Sequence, residues 1–159
     1  MLFGSRRREA KYLSSGITSL RGLMTAYGFK YSSGTTATSS GGAFANGFFR
    51  RGTLEIGLVV RNGDELGCPN YTTGDGYAGH EDLIWALGSA GTEALVPAKP
   101  HAGVFVGPLS YVNREGGDAF AALGLDLERI ILPSLGRSES EFYDSLARAV
   151  KKGQSEIGL

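Results

Sequence analysis

A glycine-rich segment in the middle of the chain offers the first pattern that could carry chemistry. Residues 74–79 read Gly-Asp-Gly-Tyr-Ala-Gly and match the G-x-G-x-x-G pattern of dinucleotide-binding loops. In those loops, backbone N–H groups at the start of a helix hold a phosphate. In dinucleotide-binding proteins the pattern lies in a βαβ unit with parallel strands. Here the strand before it is predicted to lie in an antiparallel hairpin. A plain turn is therefore the favoured interpretation, and a nucleotide site is the alternative.

Three polar residues directly after this segment suggest acid–base or metal chemistry. His80, Glu81 and Asp82 are adjacent, and adjacent helical residues diverge by about 100°, so they cannot chelate one ion together. The chain has one other histidine, His101, and a site built from His80, His101 and Asp75 is a further alternative. We expect no metal and no cofactor. The candidate ligand-binding residues are Asp75, Gly76, His80 and Asp82.

Patterns of nucleophilic catalysis are missing from the sequence. Cys68 is the single cysteine, which excludes an intramolecular disulfide, and its place beside Pro69 on a predicted strand favours a small buried side chain. No G-x-S-x-G elbow and no Walker motif occur. Because no catalytic set converges, the sequence favours a non-enzymatic protein. A small enzyme or ligand-binding domain, with its pocket beside residues 74–80, remains the alternative.

Charge is distributed unevenly although the formal net charge is zero. Residues 1–52 carry eight Arg and Lys side chains against Glu9 alone, a net charge of +7, and residues 53–159 carry −7. Such asymmetry indicates either a surface for a charged partner or two patches that pair on folding. The candidate partner-binding residues are Arg50, Arg51 and Arg61. Phe48 and Phe49 precede them, so binding of a nucleic-acid backbone is another alternative, although strand alternation places these two rings on opposite faces.

Residues 5–27 predict a helix that covers a sheet. Apolar residues recur at helical spacing from Leu13 to Tyr27, and Gly28 is placed to end the helix. Gly16 and Gly22 weaken it by roughly 1 kcal/mol each relative to alanine. The same stretch is rich in Arg and Ser, so a mitochondrial transit peptide is the alternative to a cytoplasmic protein. No apolar run approaches the roughly 18 residues of a membrane-spanning helix.

Three antiparallel strands follow a segment of small residues. Residues 32–42 contain only Ser, Gly, Thr and Ala, and they predict a flexible loop. Residues 43–50 form the first predicted strand, and the alternation from Leu54 to Arg61 predicts the second. Asn62-Gly63 favours a tight turn with positive φ at both residues, and the return strand covers residues 64–72. Pro69 cannot donate to a ladder, so this strand lies at an edge or ends there.

Shorter elements complete the chain. A glycine-rich connection over 74–79 leads to a helix over 80–87 that Gly88 ends. Residues 103–106 are a possible strand and residues 118–123 predict a short helix. Ser138 and Glu141 fit a capping box at the start of a final helix, which Gly153 is expected to close.

One set of residues resembles a pattern in small bacterial proteins, some of which are thought to be immunity proteins that neutralise toxins by binding. It covers about a third of the chain and transfers no catalytic residues. The set comprises residues 49–56, Arg61, Leu66-Gly67, Tyr71, residues 80–83 and residues 86–88.

Together these patterns predict a single α+β domain over residues 1–159 with two layers. An antiparallel β-meander packs against the N- and C-terminal helices. The predicted function is protein binding through charge-asymmetric surfaces, of the immunity or accessory type, in the cytoplasm and without a membrane.

Overall fold

The computed structural model describes residues 2–39, 42–67, 69–74, 76–88, 95–97, 110–113 and 118–156, and it has the predicted α+β fold. The strands are β1 Lys30–Ser39, β2 Gly42–Arg51, β3 Leu54–Arg61, β4 Glu65–Gly67, β5 Asn70–Thr73, β6 Gly76–Gly79, β7 Leu95–Pro97 and β8 Ser110–Asn113. The helices are α1 Leu2–Ala26, α2 His80–Ala86, α3 Ala119–Asp126, α4 Leu132–Arg137 and α5 Glu139–Glu156, with a π-helical turn at Leu127–Ile131 between α3 and α4. Cys68, Asp75, His101 and the possible strand over 103–106 lie outside the described residues.

The described strands form one sheet in which every pairing is antiparallel. Its main order is β1-β2-β3-β4-β8-β7, while β5 pairs with β3 and β6 pairs with β5. The predicted return strand is therefore two strands, β4 and β5, which both pair along β3. The division falls at Pro69, as expected for a residue without a backbone N–H.

One face of the sheet carries apolar side chains and the other carries mostly polar ones, as a two-layer fold requires. Register partners across five strands form a row on the face that the helices cover, and this row consists of Tyr31, Phe49, Ile56, Tyr71 and Ala78. The neighbouring row points to the opposite face and consists of Lys30, Arg50, Glu55, Thr72 and Tyr77. Phe49 is buried and Phe48 is half-buried, so the two rings lie on opposite faces as predicted.

Helix α1 buries the predicted apolar stripe, in which Leu13, Ile17, Leu20 and Met24 are all at most 4% exposed. Gly28 follows the helix with φ +84°, in agreement with its predicted role. Gly16 has a packing reason, because a Cβ at this position would lie 2.3 Å from Cγ of Phe120 on α3. The two helices approach so closely that only glycine fits between them without a shift of the Phe120 ring.

Three sequence predictions need correction. Residues 32–39 belong to β1 and not to a loop, because their backbone pairs with β2 and a strand at the edge of a sheet does not need large apolar side chains. Residues 76–79 form β6 and not a connection, because their backbone pairs with β5. The final helix continues through Gly153 to Glu156.

The predicted turn and cap are each present in part, because the Ser138 N–H donates to the Ser134 carbonyl over 3.3 Å and not to the Glu141 side chain. Asn62 and Gly63 have φ of 53° and 87°, although the loop has three residues because Arg61 pairs with Glu65. The Gly63 N–H donates to Oε1 of Glu9 over 2.8 Å, which ties this hairpin to α1. At the start of α5, the Glu141 N–H donates to Oγ of Ser138 over 3.2 Å.

Candidate functional site

The candidate ligand-binding residues have separate surroundings. His80 is 1% exposed and points into the core. Asp82 forms a salt bridge of 2.7 Å with Nζ of Lys152 on α5, and the same Nζ lies 5.4 Å from the centre of the Trp85 ring. Gly76 has φ +136° and faces Val150. The contacts of His80 and Asp82 are thus with other side chains of the fold.

His80 links two parts of the chain through a buried hydrogen-bonded chain. Its Nδ1 lies 2.7 Å from the Tyr71 hydroxyl, and its Nε2 lies 2.9 Å from Oδ2 of Asp126. A neutral imidazole with its proton on Nε2 satisfies both contacts, because it accepts from the phenol and donates to the carboxylate. All three residues are at most 2% exposed. These buried hydrogen bonds connect β5 and the start of α2 to the end of α3. No sequence pattern indicated the contact between His80 and Asp126, because the two residues are 46 positions apart.

The candidate partner-binding arginines lie at three different places. Arg50 forms a salt bridge of 2.6 Å with Glu55 and stacks over Phe48 on the outer sheet face. Arg61 stacks over Phe44 on the same face, and Arg51 forms a salt bridge of 2.8 Å with Glu139 at the start of α5. Arg50 and Arg51 thus pair with acidic residues of the second part of the chain. Part of the basic charge of the first part is therefore neutralised within the molecule.

Among the described side chains of the first 52 residues, the basic ones without a salt bridge lie on α1 and at the start of β1. Arg21 and Lys30 are exposed and take part in no salt bridge within the described part of the chain. Glu9, the single acid of the first 52 residues, is 2% exposed and turned inward. The exposed surface of α1 therefore carries positive charge.

A channel runs between α1 and β1 and consists of two depressions in series. The first has a volume of about 170 Å³ and lies between the helical stripe Ala10–Arg21 and strands β1 and β2. The second has a volume of about 250 Å³ and is lined by Arg21, Thr25, Phe29, Lys30, Tyr31 and Phe49. Arg21 and Tyr31 line both depressions, so the two adjoin, and together we call them the α1–β1 channel.

Tyr31 stands at the junction of the two depressions. Its ring packs on Phe49 at a centroid distance of 5.3 Å, and the Arg21 guanidinium lies 5.7 Å from its centre. A Cβ at Gly47 would lie 2.1 Å from the Tyr31 hydroxyl, so the ring can cross β2 only because residue 47 is glycine. Partial burial raises the pKa of the Tyr31 phenol, and the charge of Arg21 opposes that rise. The phenol is therefore a neutral hydroxyl at ordinary pH.

Strand β1 forms the other wall of the channel and lies at the edge of the sheet. Its ten residues are mostly exposed, and among the described strands it pairs with β2 alone. The register shifts between Ser33 and Thr36, where the Thr35 N–H donates to Oδ1 of Asn46 over 2.6 Å. A bulge of this kind increases the local twist of an edge strand. An edge strand beside a channel presents backbone donors and acceptors to an extended chain.

No family model, curated protein or solved structure matches this chain. Among the described residues, no three His, Cys, Asp or Glu side chains are grouped so that they could hold a metal ion. The described helices include none that is both long and apolar enough to cross a membrane.

Sequence reasoning missed the channel because it interpreted one of its walls as a loop. Two observations in the sequence point towards it. Thr35, Thr36 and Thr38 are β-branched residues typical of strands, and Arg21 lies on α1 one turn after Ile17.

Proposed function

We propose that this protein is a non-enzymatic binding domain that accepts an extended segment of a protein partner along β1. The observation that carries the proposal is the α1–β1 channel with an edge strand as one wall. In β-strand addition, backbone hydrogen bonds to the edge strand supply affinity and side-chain pockets supply specificity. A cytoplasmic location and an immunity or accessory role are compatible with this function and belong to the proposal.

The size of the channel supports this kind of occupant. The helical wall from Ala10 to Thr25 is about 22 Å long at roughly 1.5 Å per residue. A strand rises about 3.3 Å per residue, so six or seven extended residues span that distance. Leu13, Ile17 and Ala45 give the first depression an apolar floor, which suits one or two small apolar side chains of the segment.

Two alternatives have less support. Binding of a nucleic-acid backbone would use Arg50 and Arg51, whose charges already meet Glu55 and Glu139. A small enzyme or ligand-binding domain beside residues 74–80 would need polar groups that face a cavity, whereas His80 is buried against Tyr71 and Asp126.

Selection of peptides from a random displayed library against the full chain tests the proposal. We expect the selected peptides to protect backbone amides of residues 30–37 from hydrogen exchange. Ser14→Trp places a large ring in the channel from an exposed helical position, and it should weaken binding at least tenfold. Ser15→Trp is the matched control, because Ser15 is also exposed on α1 but does not line the channel.

The proposal fails if no peptide is enriched. It also fails if the enriched peptides protect another surface, or if Ser14→Trp and Ser15→Trp bind them equally well. Circular dichroism and urea unfolding of both variants establish that each remains folded.

A further inference from the structure

We infer that the outer face of the sheet, which lies opposite the helices, is a contact surface for a second copy of this chain. Alternation along β2 and β3 brings side chains of both strands to this face. Six of these positions, each exposed or half-buried, define the surface: Phe44, Arg50, Glu55, Gly57, Val59 and Arg61. The surface is separate from the α1–β1 channel of the proposed function, because α1 packs on the other face.

The strand register makes this surface symmetric from end to end. Arg50 pairs with Glu55 in a row at one end of β2 and β3, and Phe44 pairs with Arg61 in a row at the other end. A two-fold axis parallel to these rows and midway between them relates two copies that are stacked face to face. It places β2 over β2 and β3 over β3, with each strand running antiparallel to its counterpart.

The charges of the surface are complementary to themselves in this arrangement. Glu55 of each copy lies opposite Arg61 of the other copy, so two pairs of opposite charge face each other across the contact. Arg50 of each copy lies opposite Phe44 of the other, and a guanidinium over an aromatic ring is an attractive contact. A second copy therefore fits the charge pattern of this face at both ends.

The centre of the surface is complementary in shape. Gly57 of each copy lies opposite Val59 of the other, so a position without a side chain faces a branched one. The space above Gly57 is open, because the nearest heavy atom to a Cβ there lies 3.7 Å away, in the Phe48 ring. Two twisted sheets pack about 10 Å apart at about −30°, which keeps the central strands close to their counterparts.

The size of the surface predicts a weak dimer. The paired part of β2 and β3 is about 20 Å long at about 3.3 Å per residue, and the strands from β1 to β6 span about 19 Å at about 4.8 Å per strand. Contact over this area buries on the order of 1,000 Å² in total, which is the low end for specific interfaces. We expect a dissociation constant in the micromolar range.

Sedimentation equilibrium of the full chain, from low micromolar to millimolar concentration, measures the self-association. Glu55→Arg and Arg61→Glu should each weaken the homodimer at least about tenfold, because each substitution places two pairs of like charge across the contact. An equimolar mixture of the two variants should recover the affinity of the unaltered chain. In that mixed dimer, both pairs between positions 55 and 61 again have opposite charges.

Two further variants separate this surface from general effects of charge. Asp144→Arg makes the same change of charge at an exposed position on α5 and should leave the dimer unchanged. Gly57→Gln fills the space opposite Val59 and should weaken the dimer at least about tenfold without lowering the urea midpoint, because the space above Gly57 is open within one copy. Circular dichroism establishes that every variant is folded.

A chain that stays monomeric at the highest concentration would overturn the inference. A dimer that Glu55→Arg, Arg61→Glu and Gly57→Gln all leave intact would overturn it as well, because that dimer uses another surface. Failure of the mixture to recover the affinity would exclude the pairing of Glu55 with Arg61. Peptide binding along β1 is measured separately, so its failure would overturn the proposed function and leave the dimer standing.

Discussion

Nε2 of His80 lies 2.9 Å from Oδ2 of Asp126, with both side chains 2% exposed. The contact joins the start of α2 to the end of α3, where a π-helical turn begins. A buried histidine and carboxylate in contact could suggest catalysis. Their burial and the additional contact with Tyr71 indicate instead that they fix the position of α2 against the sheet.

Asp126→Ala should lower the free energy of unfolding by about 1–3 kcal/mol. The substitution leaves the Nε2–H of His80 without this acceptor in a buried site. Urea unfolding followed by circular dichroism measures the loss. Asp144→Ala, an exposed position on α5, is the control and should change stability by no more than about 0.5 kcal/mol. A similar small effect at Asp126 would show that the contact does not hold the two elements together.

Gly16→Ala should destabilise the protein although alanine favours helix. The gain in helix propensity is about 1 kcal/mol, whereas a Cβ at this position meets Phe120 at 2.3 Å and costs typically 1–3 kcal/mol through overpacking. Gly22→Ala is the matched control on the same helix, because a Cβ there meets nothing within 4 Å. It should stabilise the protein by up to about 1 kcal/mol. Opposite shifts in the urea midpoint support this packing, and equal stabilisation by both substitutions contradicts it.

Glu9→Ala should destabilise the protein more than Glu9→Gln does. Oε1 of Glu9 accepts from the buried Gly63 N–H, and alanine leaves this donor without its acceptor at a cost of about 1–3 kcal/mol. Glutamine retains a carbonyl oxygen that can accept the same bond. Chemical unfolding of the two variants in parallel distinguishes the cases. An equal loss in both would assign the effect to the charge of Glu9 and not to the bond.

The stability of the protein should fall as the pH rises above 10. The pKa of Tyr12 is raised from its ordinary value of 10.0 by burial, and the negative charge of Asp118 and the bond to it add to the rise. A phenol with a raised pKa in the folded state contributes stability below pH 10, and this contribution is lost as the pH rises through the folded-state pKa. Tyr12→Phe should show a smaller fall over the same range in urea unfolding. If both proteins lose stability in parallel, Tyr12 is not the group responsible.

Local patterns determined much of the fold from the sequence alone. The α1 stripe, the alternation in β3, the positive φ of Asn62 and Gly63, and the Ser138 cap all depend on residues near one another in the chain. For such features, spacing and backbone preference are enough to specify the structure. The α+β class follows from their order.

Only the tertiary structure decided where the candidate site lies. β1 is a strand because β2 pairs with it, while its Ser, Gly and Thr residues by themselves are also typical of a loop. The channel is lined by α1 together with β1 and β2, and the Arg51–Glu139 salt bridge neutralises an arginine that the sequence had suggested for partner binding. The burial of His80 likewise became apparent only in the folded protein, because its partner Asp126 is 46 residues away in the chain. Contacts between residues that are far apart in the chain leave no local pattern in the sequence. The site could therefore be located only in the tertiary structure, where the helices pack on the sheet.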